Sequence, residues 1–167
     1  MHKALTLICY TLLCSVLTYA PASSAAELPA VEDFRVVAQE AKQKNVPILV
    51  LFMSNGCPYC EVALHDYLVP IYLDPAYDDK VILRQIALDQ YDKLINFKGQ
   101  VTTPHKFAQA SNIFAVPTAV LFDSEGHELS RVVGLIIVDF YLAYVDNAIN
   151  EALAKIRSAP NKAGIKQ

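Results

Sequence analysis

Seven apolar residues in a row, Pro47 to Met53, are broken by Ser54-Asn55-Gly56 and followed at once by Cys57-Pro58-Tyr59-Cys60. An unbroken apolar run of this length suits a central strand covered on both faces, as parallel strands are. A proline in the first turn of a helix costs nothing, because the N–H it lacks would have no partner there. The stretch is therefore expected to run strand, turn, helix, with the cysteine pair at the helix start. Two cysteines three positions apart can close a disulfide within one helical turn, a geometry that suits reversible redox chemistry better than stapling.

The rest of the chain reads around this unit. Val31 to Lys44 is helical by period, with Phe34, Val37, Ala38 and Ala41 on one face. The cysteine helix continues through Val62, Ala63, Leu64 and Leu68 until Pro70 is expected to end or kink it. Val81 to Leu88 is the next strand, and Tyr91 to Val101 a connection with a turn at Lys98-Gly99. Thr103 caps a short helix with Pro104 at its first position. Pro117 to Phe122 and Glu128 to Val133 are strands joined by a turn at Ser124-Glu125-Gly126. Val138, Tyr141, Leu142, Val145, Ile149, Ala152, Leu153 and Ile156 mark a long amphipathic last helix. The expected class is α/β: a mixed sheet of about four strands flanked by helices. Strands joined through a helix are expected to be parallel, and the final pair antiparallel.

The N-terminus bears on compartment. Residues 1–26 read as a cleavable signal peptide: Lys3 gives a positive start, Ala4 to Tyr19 is apolar and uncharged, and Ala22-Ser23-Ser24-Ala25-Ala26 offers small residues for cleavage. The apolar run is too short and too polar for a membrane span. Export to an oxidising compartment is expected, the bacterial periplasm above all. Cleavage leaves one domain, 27–158, with a tail at 159–167 expected to fray. It removes one lysine and no acid, so the formal net charge moves from −3 to −4. So mild a balance argues against nucleic acid as a partner. Cys9 and Cys14 leave with the signal, so Cys57 and Cys60 remain as the chain's single pair.

At a helix start, the Cys57 sulfur faces free N–H groups and the positive end of the helix dipole, which favours thiolate. Cys57 is then the attacking group. Cys60, one turn further in, is more enclosed and resolves the mixed disulfide. A purely structural disulfide closing so short a loop would be a weak staple. Structural zinc needs four ligands, and there is no second cysteine pair; His65, His105 and His127 fall in different elements without ligand spacing. No metal and no cofactor are expected. A second signal is Val116-Pro117-Thr118, a proline opening a strand. Taken alone it reads as an ordinary trans proline.

The strand-CxxC-helix unit, Val116-Pro117-Thr118, the turn at Gly126 and Val133-Gly134 before the last helix together resemble the thioredoxin superfamily across about residues 30–157. A narrower resemblance is to small periplasmic thioredoxin-like proteins of the SoxW type, with Ile95-Asn96-Phe97-Lys98-Gly99 lengthening the connection before the third helix. The resemblance implies a thioredoxin fold and a thiol–disulfide oxidoreductase, with Cys57 nucleophilic and Cys60 resolving. It also implies that Pro117 is a cis-proline facing the disulfide. Pro58, Tyr59, Val116 and Gly134 would line the substrate surface.

Three departures concern tuning. Gly56 stands where thioredoxins carry a tryptophan, Leu51 where they bury an aspartate, and Gln85 where that acid has a basic partner. The usual proton route to the resolving thiol is missing; Glu61 and His65 are the candidate replacements, against plain solvent water. A compact reductase acting on protein thiols or disulfides, monomeric and kept reduced by a membrane or periplasmic electron donor, fits best. An oxidase would resemble this fold plus a helical insertion, and an isomerase would add a dimerisation domain. A binding or metal-delivery module on the same fold is the alternative from another class.

Overall fold

The computed structural model describes residues 26–135 and 137–158. Their elements are α1 (Phe34–Lys44), β1 (Ile48–Met53), α2 (Pro58–Val62), a π-helical segment (Ala63–Leu68), α3 (Val69–Leu73), a 3-10 turn (Pro75–Tyr77), β2 (Ile82–Ala87), β3 (Leu94–Ile95), β4 (Val101–Thr102), α4 (Pro104–Ala110), β5 (Thr118–Phe122), β6 (Glu128–Val133), a second 3-10 turn (Val138–Phe140) and α5 (Tyr141–Ser158). The expected signal peptide, Ala26 apart, and the expected tail, with Cys9 and Cys14, lie outside the described residues.

The main sheet has the order β2-β1-β5-β6. β1 runs parallel to β2 and antiparallel to β5, and β5 runs antiparallel to β6. The sheet is the mixed four-strand one expected, with one difference. The crossover from β2 to β5 contains a helix yet delivers β5 antiparallel to its neighbour β1. β5 therefore begins at the sheet end where β1 finishes, and this places the VPT segment beside the cysteine turn.

Every residue of β1 is buried, and its side chains alternate between two cores. Leu49, Leu51 and Met53 pack with Cys60, Leu64, Leu68, Tyr141, Val145 and Ile149. Ile48, Val50 and Phe52 pack with Phe34, Val37, Ala41, Phe107 and Ile82 on the other face. Burying each such side chain stabilises the fold by about 1.5–3 kcal/mol, so this strand is the centre of the molecule.

Helix boundaries follow the caps. α1 starts three residues later than its period suggests, because Asp33 caps it by accepting from the Arg35 N–H at 2.9 Å. Val31 instead donates its N–H to the Gln85 carbonyl at 3.1 Å, alongside the outer edge of β2. Pro70 does not end the cysteine helix. The backbone widens into the π-helical segment just ahead of it, with Val69 N–H bonding to the Leu64 carbonyl five residues back, and α3 then carries Pro70 in its first turn. Proline has no N–H and crowds the carbonyl four residues before it; widening the ladder absorbs both effects. Of the residues expected on the last helix's apolar face, Val138 falls in the 3-10 turn before it, and Val138 and Leu142 are 45% and 43% exposed and do not join the buried face.

Candidate functional site

β1 ends at Met53, where its carbonyl accepts the Leu88 N–H at 2.8 Å. The chain turns through Ser54-Asn55-Gly56, with Gly56 at φ +71, a left-handed conformation that only glycine adopts cheaply. Cys57 is the N-cap of α2. Its backbone is extended, its carbonyl accepts the N–H groups of Cys60 and Glu61 at 3.0 and 3.1 Å, and its Sγ accepts from Cys60 N–H at 3.3 Å. The sulfur thus faces the free N–H groups of the first turn, as expected for an activated cysteine.

Cys57 and Cys60 are joined in a disulfide with their Cα atoms 5.2 Å apart. The two ends of that bond differ. Cys57 is half-buried and flanked by exposed Pro58 and Tyr59, whereas Cys60 is 0% exposed and packed into the core. A partner can reach one sulfur and not the other.

The Val116–Pro117 peptide bond is cis. Register places it: Phe52 pairs with Thr118, and Thr118 with Val133. Pro117 and Gly134 therefore lie at the end of the sheet from which the cysteine turn departs. Gly134 donates its N–H to the Pro117 carbonyl at 2.8 Å, and the Thr118 hydroxyl donates to the Ala115 carbonyl at 2.8 Å. Cys57, Pro58, Tyr59, Cys60, Val116, Pro117 and Gly134 are thus brought to one end of the sheet. A groove of about 330 Å³ between β6 and α5 meets this end only at Val133 and Gly134.

Glu61 and His65 pair at 3.2 Å, each a little under half exposed. They line a cavity of about 180 Å³ beside the cysteine helix, together with Gln85. Leu51 is fully buried and pairs with Gln85 across the strands. The other histidines lie elsewhere. His105 opens α4, and His127 bonds Asp123 in the β5–β6 turn, Nδ1 to Oδ2 at 2.9 Å. Among the described residues no three His, Cys, Asp or Glu side chains cluster as a metal site would need, and no helix is long and apolar enough to cross a membrane.

Two features escaped the sequence reading. Asp89 holds the turn ahead of Cys57 by accepting from Asn55 N–H, a contact between loops that no local pattern announces. Phe114, 87% exposed just before the VPT segment, and Ile137, Val138 and Phe140 after Gly134 add apolar surface near that end of the sheet. Phe114, Ile137 and Phe140 gave no signal beyond being apolar residues that fit no buried face, and Val138 was expected on the buried face of the last helix.

The thioredoxin-like domain model matches residues 34–149, more than half of the chain. The protein belongs to the thioredoxin-like domain family. No curated protein matches the sequence. Among solved structures, a Nicotiana alata thioredoxin is 23% identical with a TM-score of 0.51, covering 78% of this chain and 98% of its own. The oxidised mitochondrial thioredoxin 3 of Saccharomyces cerevisiae is 16% identical with a TM-score of 0.52, covering 74% and 94%. A DsbH oxidoreductase is 18% identical with a TM-score of 0.50, covering 80% and 92%. At these identities the likeness is one of fold. This chain therefore carries a thioredoxin-like oxidoreductase fold with a Cys57–Cys60 disulfide at the N-cap of α2.

Proposed function

We propose that the protein is an exported thiol–disulfide oxidoreductase that works as a disulfide reductase. The observation that carries this reading is the asymmetry of the pair, an approachable Cys57 capping α2 and a sealed Cys60 one turn later. In the reduced protein, the Cys57 thiolate attacks a partner's disulfide, and one partner sulfur leaves as thiolate. Cys60 then loses its proton and attacks Cys57. The Cys57–Cys60 bond forms, the second partner sulfur leaves with the electron pair, and the partner gains two electrons from the dithiol. Pro117, Val116 and Gly134 receive the partner's backbone beside the disulfide, and Pro58 and Tyr59 complete the contact surface.

The reductive direction is supported by compactness. Among the described residues the connection from β2 to β5 carries a two-residue ladder and one seven-residue helix, which leaves no helical domain of the oxidase kind. We read the chain as a monomeric periplasmic member of the SoxW type, recharged by a membrane or periplasmic electron donor and needing no bound cofactor. Export rests on residues 1–26. Terminal sequencing of the secreted protein, with a start near Ala26 or Glu27, checks that part.

Reduction of insulin with dithiothreitol as electron source tests the activity: turnover is expected, and Cys57→Ser abolishes it. Turnover unchanged in that variant removes Cys57 from its role. Equilibration with glutathione tests direction. A potential near about −270 mV supports a reductase, and one near about −120 mV overturns that direction.

A further inference from the structure

Cys60 must give up a proton to act, yet it is 0% exposed, and the strand position that carries the family's buried acid is Leu51, also 0% exposed. A polar cavity lies beside the same helix. Glu61 and Leu64, one and four residues after Cys60, line the cavity of about 180 Å³ that also takes in Met53, and Met53 and Leu64 share a packed cluster with Cys60. The cavity's polar lining is Glu27, Asn55, Glu61, His65, Gln85 and Gln90. Polar cavities of this size hold water.

We propose that this cavity is the proton exit of Cys60. Resting on the reductase reading above, it works in the resolving step. As Cys60 attacks Cys57 in the mixed disulfide, its S–H proton passes through cavity water to the Glu61 carboxylate, and from there to solvent. His65 is a positioning residue that holds that carboxylate at 3.2 Å. The titratable groups facing the cavity are Glu61 and His65 from the cysteine helix and Glu27 from the segment before α1; β1, β2 and the loops after them contribute only the neutral Asn55, Gln85 and Gln90 beside their apolar residues. Asp89, bonded to Asn55 N–H, is a further charge on the adjoining loop.

The test separates the two cysteines. Reduced protein is mixed with limiting dithiobis-nitrobenzoate. The first coloured thiolate reports attack by Cys57, and the second reports resolution by Cys60. Glu61→Gln is expected to leave the first release unchanged and to slow the second by at least about tenfold near pH 7, the gap closing by about pH 9 as the thiol ionises without help. A Glu61→Gln variant whose second release matches the parent at every pH, or lags equally at every pH, overturns the proposal: solvent is then the acceptor, or the residue is merely structural. A parent protein that gives no first release fails at Cys57 itself, which overturns the reductase reading and this step with it.

Discussion

The backbone N–H of Asn55 donates to both carboxylate oxygens of Asp89, each at 3.2 Å, tying the turn ahead of Cys57 to the loop after β2. The bond bridges 34 positions of sequence, so it fixes where the α2 cap sits relative to the sheet. Asp89→Ala should cost about 1 kcal/mol in urea unfolding and lower the rate of Cys57 alkylation, because the cap loses its anchor. Asp89→Asn keeps a carbonyl acceptor and should recover most of both. Equal losses in the two variants would mean that charge, not the bond, is what matters.

Tyr141 supplies a second prediction. Its side chain is 1% exposed and its hydroxyl has no partner among the described residues, while its ring meets Tyr67 edge-on at 5.2 Å. Phenylalanine keeps the ring and removes the unpaired oxygen. Tyr141→Phe should stabilise the protein by about 1 kcal/mol, read as a rise in melting temperature of a few degrees. Burial also pushes the Tyr141 hydroxyl up to about 12. The native state therefore keeps this proton after the unfolded chain has lost it. This group leaves stability independent of pH below about pH 10 and lowers it as pH rises from there through the folded value. In Tyr141→Phe, the alkaline decline should be shallower. A variant less stable than the parent at pH 7 would contradict the prediction.

How much of this was legible in the sequence depends on the range of the interaction. The burial of β1 on both faces, the cap at Cys57, the turn at Gly126 and the α5 face through Val145 and Ile149 follow from patterns within a few residues, and each is present. The direction of β5 was not readable, because a helical crossover permits either sense once the connection is long. Of the two outcomes expected at Pro70, an end or a kink, the end does not occur, because π-widening accommodates the proline. In the site, Cys57 and Cys60 could be assigned locally. The Asp89 anchor and the Gln85 cavity could not, since both depend on which strands are neighbours.

The β5–β6 turn gives a pH-dependent prediction. Hydrogen bonding to Asp123, then the attraction of that carboxylate, holds His127 above its ordinary value. Because the folded value is the higher one, the contribution is fully present below about pH 6.5 and disappears as pH rises through the folded value. His127 is 70% exposed, so salt screens the effect. His127→Gln should unfold at lower urea than the parent at pH 5.5 and low ionic strength, and with it by about pH 8. A gap that persists at the higher pH would assign it to the neutral hydrogen bond instead.

The segment that lengthens the connection before α4 also anchors the core. Phe97 stacks on Phe34 at 4.3 Å and tilts against Phe122 at 5.5 Å. The ring lies against Gly126, where an added Cβ would sit 2.6 Å from its Cδ2 and Cγ, and where the backbone is at φ +86. Glycine is thus required twice, for the left-handed turn and for the close approach of the ring. Gly126→Ala should cost about 2–3 kcal/mol. Phe97→Ala should cost a similar amount by opening a void among the aromatic rings. In the double variant the steric part of the Gly126→Ala cost is relieved, while the backbone strain stays. The two losses should therefore sum to more than the loss measured for the pair, by about 1 kcal/mol in a double-mutant cycle. Strict additivity would mean that the turn conformation alone selects glycine at this position.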